Sequence, residues 1–202
     1  MTEKKTQGNE NKKRVKPTYD LDATIEKFKQ SISTNLGYKK QQNMLEWLDT
    51  FSDYIAKEKE FEPLQDTLKY DAGVILSVDL GFNAKSEHGG RHFAVVVEDN
   101  SKSSNTVVIV PLGSEKPGAK VNWNDVDLGV IQELNDLTEE EGVKSIAKIS
   151  HIRSISKMRI VQPVKSGTEL IYLDTVNLKK IYDKMRKRFI GKGLNRKTKE
   201  QQ

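Results

Sequence analysis

Apolar residues in the first third of the chain recur at helical spacing. Leu21, Ile25, Phe28 and Ile32 follow one another at three- and four-residue intervals, and the pattern stops at "NLGY", where Gly37 is placed to cap a helix. Leu45, Leu48, Phe51 and Ile55 repeat the logic, Trp47 and Tyr54 widen the apolar face, and Pro63 marks the end. The spacing predicts two amphipathic helices forming a helical hairpin within residues 19–62. Such a pair cannot bury its apolar face alone, so it is expected to pack on the main domain or on another subunit.

From Gly73 the period changes. "GVILSVDL", "HFAVVVED", "TVVIVPLG" and "SIAKISHI" are short runs rich in β-branched residues, separated by segments carrying Gly, Asn, Ser and Pro. They predict strands. With no long helical pattern between them, they point to a small antiparallel barrel or sandwich and away from a doubly wound parallel sheet. Residues 122–142, containing "WNDVDLG" and the acidic "TEEEG", read as a long excursion off the sheet. After "RIVQP" a last helix is expected, with Leu178, Ile181, Met185 and Phe189 on one face and Lys179, Lys180, Lys184 and Lys187 largely off it; Gly191 is placed to cap it.

Composition narrows the class. A chain of 202 residues can bury one main core and an appended subdomain. Hydrophobic residues make up 35% and charged residues 31%, mean hydropathy is −0.67, and no stretch approaches the ~20 apolar residues of a spanning helix, so a cytoplasmic protein without a membrane partner is expected. The N-terminus lacks the apolar segment of a secretory signal. Having no cysteine excludes disulfides, thiolate zinc sites and cysteine nucleophiles together. The net charge of +5 concentrates in the tails, "KKRVK" at 12–16 and the Lys/Arg-rich stretch 179–199, and favours polyanionic partners. Residues 1–18 offer little to bury and are expected to be disordered.

Common nucleotide and hydrolase signatures are missing, namely the P-loop, the dinucleotide fingerprint and the nucleophile elbow. His88 and His92 are four apart, but the glycines between them argue against the helix that would present both to zinc. No metal or other cofactor is expected. What remains is "KSEHGGRHFAVVVED", a glycine-rich charged turn feeding a strand. Gly89 and Gly90 allow a ligand close to the main chain, and Glu87, Arg91 and His92 flank the opening. Cleavage of RNA by its own 2'-hydroxyl needs a base, an acid for the leaving oxygen, and a cation for the charge on phosphorus. Histidine and arginine supply such groups near neutral pH. The plainer alternative is a Glu87–Arg91 surface pair with His92 packed against Phe93 as the strand begins.

Three segments carry a family resemblance. "GVILSVDLGFNAKSEHGGRHFAVVVEDN" resembles the opening of the MazF/PemK toxin endoribonucleases, whose first strand leads through an S-E-Q-G-G-like turn into G-x-R-P-x-V-V-V/I. "SNTVVIVPLGS" resembles the next strand, and "SIAKISHIRSISKMRI" is similar to S-V-I-L-L-E-Q-I-R-T-I-D-K-x-R-L. The resemblance covers about residues 73–160. It implies Glu87 as the turn acid, Thr106 as the strand threonine at the scissile phosphate, and Arg153, with Ser154 beside it, near the RNA path. Ser86, His88, Gly89 and Gly90 then line the loop, and His151 stands in the column of the family's glutamine as an RNA contact. Where the family has G-x-R-P, this chain has Gly90-Arg91-His92-Phe93, so His92 holds the arginine's column and Arg91 sits one residue early. Either His92 points into the groove as acid or base, or a bulge turns Arg91 inward and His92 packs.

The fold expected is therefore mainly β with helices (α+β), an SH3-like barrel over residues 68–190 including a C-terminal helix, with tails at 1–18 and 191–202. The resemblance implies a metal-independent endoribonuclease acting on single-stranded RNA such as mRNA, a homodimer, and a cognate antitoxin as partner. The catalytic set would be His92, Thr106, Arg91 and Glu87. The alternative is a non-catalytic module on the same barrel, a CcdB-like topoisomerase inhibitor or an inactive RNA binder.

Overall fold

The β-branched runs become strands because both faces of the sheet they build are covered by apolar side chains. Seven strands, β1 (Ile75–Asp79), β2 (Arg91–Val96), β3 (Thr106–Glu115), β4 (Val126–Val130), β5 (Lys144–Ala147), β6 (Arg153–Ser156) and β7 (Ile160–Gln162), pair antiparallel in the order β4-β5-β3-β2-β1-β7, with β6 also on β3. This arrangement comes from a computed structural model that describes residues 19–115, 118, 120–164 and 167–190. The expected tails and Gly191 lie outside the described residues. Two compact units divide the chain, one ending at Gln42 and the other beginning at Asn43.

Alternation along the strands sorts the core into two clusters. Phe93, Val95 and Val97 join Val108, Val110 and Leu112 in the first, which α5 (Thr175–Met185) covers with Leu178, Ile181, Tyr182 and Met185. Ala94 and Val96 join Val107, Ile109, Leu76 and Val78 in the second, closed by Tyr70, Leu80, Ile155 and Ile160. Burial on both sides explains why the strands read as near-continuous apolar runs. Tyr70 is fully buried, and its hydroxyl donates to the Pro163 carbonyl at 2.7 Å.

Three expectations about local structure change. Residues 122–142 are not an excursion: they contribute β4 and α4 (Gln132–Thr138), since Val126, Leu128, Ile131 and Leu134 are buried in the first cluster. "SIAKISHI" is not one strand. Six residue steps separate Ala147 from Arg153 against three between their partners Leu112 and Ile109, so three residues loop out, as a 3-10 turn at Ile149–His151. Pro63 does not end the second helix but opens a short one, α3 (Pro63–Asp66).

The predicted helices are α1 (Leu21–Asn35) and α2 (Tyr38–Lys57). Asp20 caps α1 by accepting from the Ala23 amide at 2.8 Å. Gly37 does not serve as a left-handed cap; the terminating bond comes from the Leu36 amide to the Ile32 carbonyl at 3.1 Å. Neither helix has a fully buried residue.

Candidate functional site

The β1–β2 connection is a tight loop tied by its own backbone. Leu80 donates to the Gly90 carbonyl at 2.8 Å and Gly90 to the Gly81 carbonyl at 2.7 Å. Gly89 packs so closely that a Cβ on it would lie 2.6 Å from the Gly81 carbonyl oxygen, which is why no larger residue fits there. Asn83 donates to the carbonyls of Leu80 (3.1 Å) and His88 (2.7 Å), fixing the segment that carries His88. Ser86 and Glu87 project from this loop into solvent.

That loop brings the three histidines of the chain together. The His88 ring lies 4.1 Å from His92 on β2 and 5.4 Å from His151 on the looped-out turn, measured between ring centroids. Arg153 on β6 donates from Nη2 to the His88 carbonyl at 3.0 Å. Lys148, just before the turn, runs its stem over β3: a Cβ on Gly113 would lie 2.9 Å from its Cε, so glycine makes room for it. The Lys148 ammonium pairs with Asp125 at 2.9 Å. Two cations therefore border three half-buried imidazoles.

Crowding sets the charge of these rings. Burial, then the positive neighbours His92, His151, Lys148 and Arg153, lower the His88 pKa from 6.5 to about 4, so at pH 7 it is neutral. Its Nε2 is buried and has no hydrogen-bond partner. His92 is lowered too, chiefly by burial, against which the Gly89 and Leu112 backbones push upward. Such a neutral imidazole beside fixed cations accepts a proton readily once a phosphate brings negative charge next to it.

Arg91 and His92 take opposite sides of β2, as neighbours on a strand must. His92 joins the imidazoles. Arg91 does not pair with Glu87; its Nε and Nη2 reach Asp79, its cross-strand partner on β1, at 2.9 and 3.3 Å. The Asp79 carboxylate also accepts from the Tyr54 hydroxyl of α2 at 2.8 Å. Burial and this bond raise the Tyr54 pKa well above its ordinary value, so it remains a donor. Beside it the Arg159 guanidinium stacks on the Trp47 ring at 5.2 Å.

Thr106 does not meet His92. Ala94 pairs with Pro111 and Val96 with Ile109, so the register carries His92 to the Gly113 end of β3 while Thr106 sits at the other, opposite Ser156. Seven residues of strand separate those ends, roughly 23 Å. Alternation also puts Thr106 on the side of the first core cluster and His92 on the side of the second. The expected convergence of the two side chains is thereby overturned. Ser154, opposite Val108, is exposed on the Thr106 side, whereas Arg153, opposite Ile109, shares the side of His92. Lys148, Asp79 and Tyr54 went unnoticed in the sequence, although Asp79 belongs to the "VDL" run on which the resemblance rests.

Comparison with known proteins bears on this arrangement. Residues 71–188 match the family of PemK-like, MazF-like toxins of type II toxin-antitoxin systems, more than half of the 202 residues. The chain belongs to this family. Among solved structures it is similar to MazF (form I) from Deinococcus radiodurans, at 18% identity over 59% of this chain and 96% of that one, with a TM-score of 0.42. It is also similar to an endoribonuclease in complex with its cognate antitoxin from mycobacterial species, at 15% identity over 58% and 91%, with a TM-score of 0.40. No curated protein matches. Every element that builds the imidazole cluster lies within the toxin match, whereas α1, α2 and α3 precede it. Among the described residues of this toxin, no helix is long and apolar enough to cross a membrane.

Proposed function

We propose that this toxin cleaves single-stranded RNA at the imidazole cluster, without a metal, by attack of the 2'-oxygen on the adjoining phosphorus. The meeting of His88, His92 and His151 from three separate elements, bordered by Arg153 and Lys148, carries this reading. His92, neutral at pH 7, takes the proton of the 2'-hydroxyl. The 2'-oxygen bonds to phosphorus, the bond from phosphorus to the 5'-oxygen breaks, and His151 returns a proton to that oxygen. The products are a 2',3'-cyclic phosphate and a 5'-hydroxyl. Arg153 and Lys148 stabilise the charge gathering on the phosphoryl oxygens. His88 stays neutral and holds the other rings apart; Arg91, drawn to Asp79, orders the loop base, and Glu87 with Ser86 contacts the incoming strand.

Family membership supports a protein antitoxin as partner, and we extend the reading to a homodimer working in the cytoplasm. The helical segment 19–62 precedes the toxin domain as an added element. The deciding experiment incubates the full chain with single-stranded RNA in EDTA, alongside His92→Ala and His151→Ala. Cleavage by the wild type to cyclic-phosphate ends, lost in both variants, is expected. RNA binding without any cleavage would replace this reading with a non-catalytic binder.

A further inference from the structure

Behind Gly113, on the side away from Lys148, α4 and the sheet enclose a cavity of about 60 Å³. Phe93 forms one wall, Ser114 and Ser145 lie along the strand side, and Asn135 and Thr138 come from α4, with Glu140 among the lining residues. Asn135 is only 3% exposed, and its Nδ2 has no hydrogen-bond partner. Buried amide donors are almost always paired in native proteins, so an orphan facing a cavity marks a place where an acceptor is expected. The volume holds roughly four to six waters, which is the displacement of one six-membered ring and less than a fused pair.

The chemistry of the lining selects the occupant. Its one charged group is the Glu140 carboxylate, which disfavours phosphate and other anions. What suits it is a neutral, planar ring with a carbonyl for Asn135 and a π-face for Phe93. Gly113 joins the cavity to the imidazoles: one side of its backbone carries Lys148, and the residue lines the cavity as well. We propose that the cavity takes a single pyrimidine base of the RNA strand, its ring carbonyl accepting from Asn135 Nδ2 while its phosphate lies at the histidines. The assignment rests on the RNA-cleaving reading for the strand's position, but the base site itself is testable alone.

Two measurements on the full chain decide it. In the first, the side-chain amide resonance of Asn135 is followed by NMR as uridine, cytidine or adenosine is added, without any cleavage. Uridine and cytidine should shift it and adenosine should not; no shift with any nucleoside, or an equal shift with adenosine, overturns the proposal. In the second, cut sites in a randomised RNA are sequenced for wild type and Asn135→Asp, which exchanges a donor for an acceptor. A pyrimidine preference beside the cut that weakens roughly tenfold in the variant is expected; an unchanged preference in a variant that melts like wild type refutes it. Should the wild type cut no RNA, the cleavage reading fails, and the nucleoside titration still decides whether the cavity binds a pyrimidine.

Discussion

His88 ties stability to pH in a direction that can be worked out. In the unfolded chain it takes a proton near pH 6.5, whereas in the folded protein burial and four positive neighbours delay this to about 4. Between those values the unfolded state binds more protons, so stability rises with pH across that window. The contribution is complete above about pH 6.5 and is lost as the solution is acidified toward about pH 4. Converting the whole displacement at 1.36 kcal/mol per unit would give ~3 kcal/mol. The ring is only half buried, and solvent screening reduces this to about 1 kcal/mol. The perturbation is His88→Asn, which keeps a polar group and removes the titration. Urea unfolding of both proteins at about pH 7.5 and about pH 4.5 gives a double difference in which unrelated carboxylates cancel. Wild type should lose about 1 kcal/mol more than the variant on acidification. Equal losses, or an NMR titration of His88 centred near 6.5, would refute the crowded-imidazole account.

Other consequences follow from the same geometry. Thr106→Ala should leave RNA cleavage within about twofold of wild type, while His92→Ala lowers it by roughly 10²–10⁴, read from initial rates on a labelled oligonucleotide; comparable losses would show that the strand register has been misjudged. Tyr54→Phe removes one of the donors on Asp79 and should lower stability by about 1 kcal/mol in urea unfolding, with unaltered cleavage. A large gain in cleavage would instead mark α2 as a restraint on the site. Ile181→Ala, at a fully buried position between α5 and the sheet, should cost about 2–5 kcal/mol. A loss under about 1 kcal/mol would mean that α5 is not seated as described.

Much of the fold was legible because the strands are buried on both faces: runs such as "AVVV" and "VVIV" have no polar side to disguise them. The segment forming β4 and α4 was not, since Asp125, Asp127 and Gly129 interrupt its few buried apolar residues and give it the composition of a loop. The site was legible in part. His88, His92, His151 and Arg153 stand out as chemistry-bearing residues, and the structure gathers all four. Thr106 was misplaced because matching short strands by composition leaves their pairing free to slip, and each one-residue slip turns a side chain to the other face.

What the chain determines by itself is local: helical spacing in 21–55, the β-branched runs, the glycines that let the 80–90 loop close, and the absence of thiol chemistry. Contacts between distant segments belong to the tertiary structure alone. Three residues looped out between β5 and β6 deliver His151 to His88, and antiparallel pairing carries Gly113, not Thr106, to the end of β3 beside His92. The physical reason is that side-chain periodicity is encoded residue by residue, whereas register depends on which strands pair and where a bulge falls, a choice made by burying both clusters at once.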